Sequence, residues 1–193
     1  MRDRPIPDDL REVCEEAGGE ELLGGNLRIY PFAGDDPEEL TIEHASDRLR
    51  SSEWPVPDQL VVFGDNGQGD HFGVWAPRDG GARPIVVQIG EVFEDACMAV
   101  VGDDLGSFLV GWGAYYALLL GDDEALREIV PELPEELSSL EEDGSEDELY
   151  ALLAWASPAL PDPRPDPYER GLTAAQVAEI ARSSGPSAQT GPE

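Results

Sequence analysis

Chemistry near neutral pH needs a proton carrier, a nucleophile or a metal ligand, and this chain offers few. His44 and His71 are its only imidazoles, the side chain whose charge changes nearest physiological pH. His44 falls on a predicted surface helix, where solvation accounts for it. His71 follows Asp70 and would ligate zinc only if distant carboxylates converged on it, whereas catalytic zinc sites usually take several His or Cys ligands. Cys14 and Cys97 lie on a predicted apolar helix face and in a predicted strand. Those are places for small core residues, not for a disulfide or a nucleophile. All 12 basic residues are arginine, which excludes Schiff-base chemistry and the lysine of a phosphate-binding loop. No Cys-x-x-Cys, His-Glu-x-x-His or Gly-x-Ser-x-Gly occurs. Among 42 acids some pair will stand at glycosidase-like separation by chance, but acid–base work needs one buried with a raised pKa, and no motif marks one. Trp54, Trp75, Trp112 and Trp155 read as core anchors. The expectation is no catalytic residue, no metal and no cofactor.

One stretch invites sharper readings: Gly64-Asp65-Asn66-Gly67-Gln68-Gly69-Asp70. As a phosphate cradle it fails electrostatically, because Asp65 and Asp70 would face the anion with no basic residue nearby in sequence. As a calcium loop it has glycines where alternating carboxylates should stand, and no closing glutamate follows at the right distance. Hairpin chemistry explains it better. Gly64, Gly67 and Gly69 supply turn flexibility, and Asp and Asn hydrogen-bond the turn backbone. The tip can still be a contact surface.

The elements that must position these residues follow from periodicity. Ile6, Leu10, Val13, Cys14 and Ala17 have helical spacing, with Asp8 and Asp9 at the positive end of the helix dipole. Leu27 to Tyr30 reads as a short strand, and Thr41 to Arg50 as a second helix. Leu60 to Phe63, His71 to Trp75 and Pro84 to Ile89 read as strands joined by tight turns at Asn66-Gly67 and Asp79-Gly80-Gly81, with a fourth strand between Glu91 and Val101. Such consecutive hairpins make an antiparallel meander, not a parallel nucleotide-binding sheet. Leu105, Phe108, Leu109, Trp112, Tyr115, Tyr116 and Leu119 mark the apolar face of a helix capped by Asp103 or Asp104. The fold class is α+β, an antiparallel sheet with helices over one face.

Charge divides the chain further. Residues 1–121 carry 24 acids and 8 arginines, whereas 122–150 carry 13 acids and only Arg127. We divide it into a domain over 1–121, an acidic helical extension over 122–157, and a proline-rich linker, short helix and tail over 158–193. Asp122 to Val130 fits a short helix broken by Pro131 and Pro134. Ser145 and Glu148 match a capping box before Leu149, Leu152, Leu153 and Trp155. Thr173 to Arg182 reads as one more helix, and the residues after it as a disordered tail.

The run Trp54-Pro55, Leu60-Val61-Val62-Phe63-Gly64, Gly67-x-Gly69-Asp70-x-Phe72 and Trp75 resembles the signature of the SUKH superfamily (the Smi-one/Knr-four family). So does the sequel Pro84-Ile85-Val86-Val87 and Leu105-Gly106-Ser107-Phe108-Leu109. The similarity covers roughly residues 5–120. It implies an α+β fold with no catalytic set. It also implies a function, since many bacterial members are immunity proteins that bind and neutralise toxins, often nucleases or deaminases.

A formal charge of −30 suits that role. Such a body repels nucleic acid and anionic lipid and attracts a basic partner. The expected function is a non-enzymatic module that blocks a basic cognate toxin. Its contact candidates are acids at predicted loop tips: Asp35, Asp36, Asp65, Asp70, Glu94, Asp95, Asp103 and Asp104. The alternative within the same family is an intracellular scaffold or regulatory adaptor docking through residues 122–150. The N-terminus meets acids and prolines in place of an apolar run, so a cytoplasmic monomer is expected.

Overall fold

Runs of β-branched and aromatic residues build the sheet, as their fit to a pleated, buried surface requires. The computed structural model describes residues 6–34, 40–51, 60–75, 85–90, 97–138 and 145–158. Six strands follow one another in sheet order: β1 (Glu21–Leu22), β2 (Leu27–Ile29), β3 (Leu60–Asp65), β4 (His71–Trp75), β5 (Ile85–Gly90) and β6 (Cys97–Gly102). Every neighbouring pair is antiparallel, so the sheet is the expected meander. Among the described residues five α-helices accompany it: α1 (Asp8–Ala17), α2 (Ile42–Ser51), α3 (Leu105–Leu119), α4 (Asp123–Ile129) and α5 (Glu146–Ala156). The fold is α+β.

The strands differ from expectation in one respect. All six residues of β3 and all six of β5 are buried, where a sheet covered on one face would alternate. Both faces of the central strands are therefore shielded. On one face α3 supplies aromatic packing: Phe72 lies 4.9 Å from Phe108 and 4.8 Å from Trp112, ring centre to ring centre. Phe63 joins them at 6.0 Å from Phe108. It reaches that face by ordinary alternation, two residues after Val61, which pairs with Val74. The register shift between Val62 and Gly64 is a bulge that places two residues opposite one. α2 lies against β3, where Ser46 Oγ accepts the Val62 N–H at 3.0 Å.

α3 is the centre of the helical layer. Asp104 is its cap, and its carboxylate accepts the Ser107 N–H at 2.7 Å, which satisfies one of the orphan donors of the first turn. Gly111 lets α5 approach so closely that an added Cβ would lie 3.0 Å from the Leu153 backbone. Leu149, Leu152 and Leu153 of α5 are consequently buried in the same core as the sheet. The acidic extension thus ends in a helix that contributes core side chains. Ser145 caps α5 as its sequence predicts, accepting the Glu148 N–H at 3.3 Å.

Two side chains depart from the apolar face assigned to α3. Leu109 is only partly buried and Leu119 is 37% exposed. The helix stops at Leu119, and Gly121, at φ +66°, turns the chain there. The two-residue strand β1 is too short to leave a periodic signature. Trp54-Pro55, the Asp79-Gly80-Gly81 turn, the stretch after Pro158 and the Thr173–Arg182 helix lie outside the described residues.

Candidate functional site

Register brings a row of charged residues onto the sheet face opposite the aromatic cluster. Glu21 pairs with Arg28, Arg28 with Asp65, and Asp65 with His71, and directly paired residues project to the same face. Arg28 Nη2 bonds Glu21 Oε1 at 2.5 Å. Tyr30 donates its hydroxyl to Asp65 Oδ2 at 2.5 Å and lies 3.3 Å from His71 Nδ1. Burial, reinforced by the bond to Asp65, pushes the Tyr30 hydroxyl well above its ordinary range, so it remains a donor. The Glu21 hydrogen bond, with Asp65 nearby, raises the Arg28 guanidinium above its ordinary value, and it remains a cation. The Arg28–Glu21 pair is half-exposed and adds little stability.

The β3–β4 turn is held from within. Asp65 Oδ1 accepts the Gly67 N–H at 2.8 Å, and Asn66 Oδ1 accepts the N–H groups of Gln68 at 2.9 Å and Asp70 at 3.0 Å. Asp70 Oδ2 accepts from Asn66 Nδ2 at 3.0 Å and from Gln88 Nε2 at 2.8 Å. Gly67 at φ +70° and Gly69 at φ +112° take the left-handed backbone that the turn demands. Both are turn residues, as expected.

Three expectations need correction here. Asp65 and Asp70 are not exposed tip carboxylates: they are 9% and 5% exposed. Asp65 accepts from Tyr30 and the Gly67 N–H, and Asp70 accepts through Oδ2 from Asn66 and Gln88 while its Oδ1 is buried without a hydrogen-bond partner. Gly64 is not in the turn. It stands inside β3, where an added Cβ would lie 2.3 Å from the Arg28 carbonyl oxygen, so it is the place where the paired strand β2 runs closest beside β3.

The remaining sites divide as follows. Asp104 is half-buried at its cap, and the backbone N–H of half-buried Asp103 donates to Ser157 Oγ at 3.4 Å. Asp35, Asp36, Glu94 and Asp95 lie outside the described residues. Exposed acids occur instead on helices. α1 presents Asp8, Asp9, Glu12, Glu15 and Glu16. The stretch from Asp122 to Glu136 presents seven exposed acids against Arg127 alone. His44 is exposed on α2 and Trp112 and Trp75 are buried, as their sequence contexts imply. Among the described residues no group of three His, Cys, Asp or Glu side chains could hold a metal ion. Among them, too, no helix is long and apolar enough to cross a membrane.

Cys14 is buried under α1, and burial pushes its thiol up from 9.0 to about 12. It is a core residue without thiolate character. Its contribution to stability is complete below pH 9.0 and is lost as the pH climbs toward about 12, since the unfolded chain releases that proton first. Tyr30 adds a loss of the same sign above its ordinary value of 10.0. Urea midpoints measured between about pH 8 and about pH 11 are expected to fall, and Cys14→Ala is expected to flatten the early part of that fall.

Sequence reading missed a surface where α3 ends. Leu119 and Leu120 are 37% and 54% exposed, the large apolar side chains most open to solvent among the described residues. Beside them the β1–β2 connection runs through three successive positive φ angles, Leu23 at +54°, Gly24 at +66° and Gly25 at +91°. A Cβ on Gly24 would meet Leu120 Cδ1 at 3.3 Å, so loop and helix end touch. The signals available were the Gly24-Gly25 pair and the run Leu118-Leu119-Leu120 before Gly121, neither distinguishable from a core helix and an ordinary turn.

The chain matches the model of the family described as SMI1 / KNR4 (SUKH-1) over residues 3–111. No curated protein and no solved structure matches it.

Proposed function

Because this chain belongs to the SMI1 / KNR4 family (SUKH-1), matched over more than half its length, we propose that it is a non-enzymatic binding module. In this reading it is a cytoplasmic immunity protein that neutralises a basic, nuclease- or deaminase-like toxin. The observation that carries the reading is the exposed acidity of α1 and of residues 122–136, where acids outnumber bases and reach solvent from helices and the turns between them. A nuclease needs a cationic surface for its phosphate substrate. An anionic body meeting that surface gains association rate by steering and excludes substrate by occupying the site. Asp65 and Asp70 act here as turn framework, and the contacts fall to acids that reach solvent.

The test is direct binding between the purified protein and a basic protein encoded beside it, followed by calorimetry. Sub-micromolar binding is expected at low ionic strength. It should weaken on the order of tenfold or more between about 50 mM and 300 mM salt, because exposed charge pairs are screened beyond a Debye length of roughly 10 Å. The same partner should lose its activity on nucleic acid in the complex. Absence of binding by every basic neighbour at low salt would sink the reading.

A further inference from the structure

We propose that the basic partner docks on the apolar knuckle formed by Leu119 and Leu120 of the α3 terminus and the Leu23-Gly24-Gly25 loop, seating an apolar side chain there between flanking arginines or lysines. The inference rests on the binding-module reading above and gives that module an address.

Exposure is the first argument. Single exposed leucines are ordinary, but these two are adjacent, and Leu120 lies against a loop whose glycines add no side chain to cover it. The loop is also strained and held. Leucine pays roughly 1–2 kcal/mol to sit at positive φ, and such geometry persists where surrounding structure enforces it, often at binding sites. Here Asn26 donates to the Leu23 carbonyl from its backbone N–H at 3.3 Å and from its side-chain amide at 2.9 Å. Trp112 Nε1 donates to the Asn26 carbonyl at 3.0 Å. Gly67 packs close to the loop as well: a Cβ added there would lie 2.6 Å from the Gly25 carbonyl oxygen. The surface is therefore preformed, which lowers the entropic cost of docking.

Charge identifies the occupant. Exposed Glu20 and Glu21 lead into the loop, and exposed Asp122, Asp123 and Glu124 lead away from the helix end. The nearest base along the loop, Arg28, is bonded to Glu21. An apolar centre with an acidic rim complements an apolar side chain set among cations. A second copy of this chain would oppose acidic rim to acidic rim, and an anionic membrane would meet the same repulsion.

Leu120→Asp and Leu119→Asp test the address, the two positions being 54% and 37% exposed, with a urea titration of each variant to establish that it is folded under the binding conditions. The probes are the basic neighbour-encoded protein, by calorimetry, and a short synthetic peptide of arginine and leucine at helical spacing, by amide chemical shifts. Each variant is expected to weaken the protein partner on the order of 30-fold or more, as loss of a central anchor does. Replacing Glu12, Glu15 and Glu16 of α1 by glutamine should weaken it only a few-fold by the same reasoning. Peptide-induced shifts should centre on Gly24, Leu120 and Gly121. Partner binding that survives Leu120→Asp, or shifts centred on α1, would overturn the address and leave the binding module standing. No binding by the wild type at low salt would overturn both. Self-association abolished by Leu120→Asp would assign the knuckle to a second copy and overturn the proposal.

Discussion

Trp112→Ala is expected to destabilise the protein by about 3–5 kcal/mol, the range for truncating a buried large aromatic. Trp112 is 1% exposed and its ring stands 4.8 Å from Phe72, 5.7 Å from Phe108 and 5.2 Å from Tyr116. Removing it leaves a cavity between the sheet and α3 that rigid neighbours fill only in part. It also removes the donor to the Asn26 carbonyl. Against a total stability of roughly 5–15 kcal/mol for a domain of this kind, the loss is large enough to populate unfolded chain. A urea titration followed by far-ultraviolet circular dichroism measures it. Trp112→Phe separates the two contributions: it keeps much of the apolar volume, so its smaller loss, about 1–3 kcal/mol, reports chiefly the deprived carbonyl. Amide exchange at Gly25 and Asn26 should accelerate in that variant while exchange in β4 and β5 stays slow. A wild-type urea midpoint for Trp112→Ala would show that α3 does not rest on this ring.

Gly64→Ala is the second large effect, expected at about 3 kcal/mol, the upper end of what overpacking usually does. The added methyl would stand 2.3 Å from the Arg28 carbonyl oxygen, and the obstacle is backbone, which cannot rotate aside as a side chain would. The response must be separation of β2 from β3. That separation would break the Tyr30 N–H bond to the Phe63 carbonyl, 2.8 Å long, and pull the Tyr30 hydroxyl from Asp65. Gly106→Ala is the matched control, because its Cβ would meet nothing closer than the Asp104 carboxylate at 3.5 Å, and alanine favours helix over glycine by roughly 1 kcal/mol. Gly64→Ala should therefore lower the urea midpoint sharply, whereas Gly106→Ala leaves it unchanged or raises it. Equal midpoints for the two would refute the close approach of β2 to β3 at Gly64.

Glycine illustrates how far local sequence carries. Gly64, Gly67 and Gly69 are spaced like a single turn, and two of them are one. The third serves a neighbouring strand more than thirty residues earlier in the chain, a contact that no window around Gly64 contains. Asp65 and Asp70 misled for the same reason. A carboxylate flanked by glycines reads as an exposed tip, yet Tyr30 and Gln88, brought in by β2 and β5, each donate to one of the two, and both are buried. His71 shows the converse. A lone imidazole carries no signal of its own, and its position beside Tyr30 follows from pairing register.

What the sequence by itself determined is whatever periodicity and turn chemistry encode within a few residues: the strands of the meander other than β1, α1, α2 and α3, the cap at Ser145, a cap for α3 at Asp103 or Asp104, and the α+β class. The ordered motifs around Gly64 to Trp75 also carried the family. Composition determined the charge, and with it the kind of partner that electrostatics favours. Tertiary structure alone decided which carboxylates reach water, that α5 joins the core, and that Leu119 and Leu120 stay uncovered. Burial is a property of what packs over a residue, and those neighbours come from distant parts of the chain.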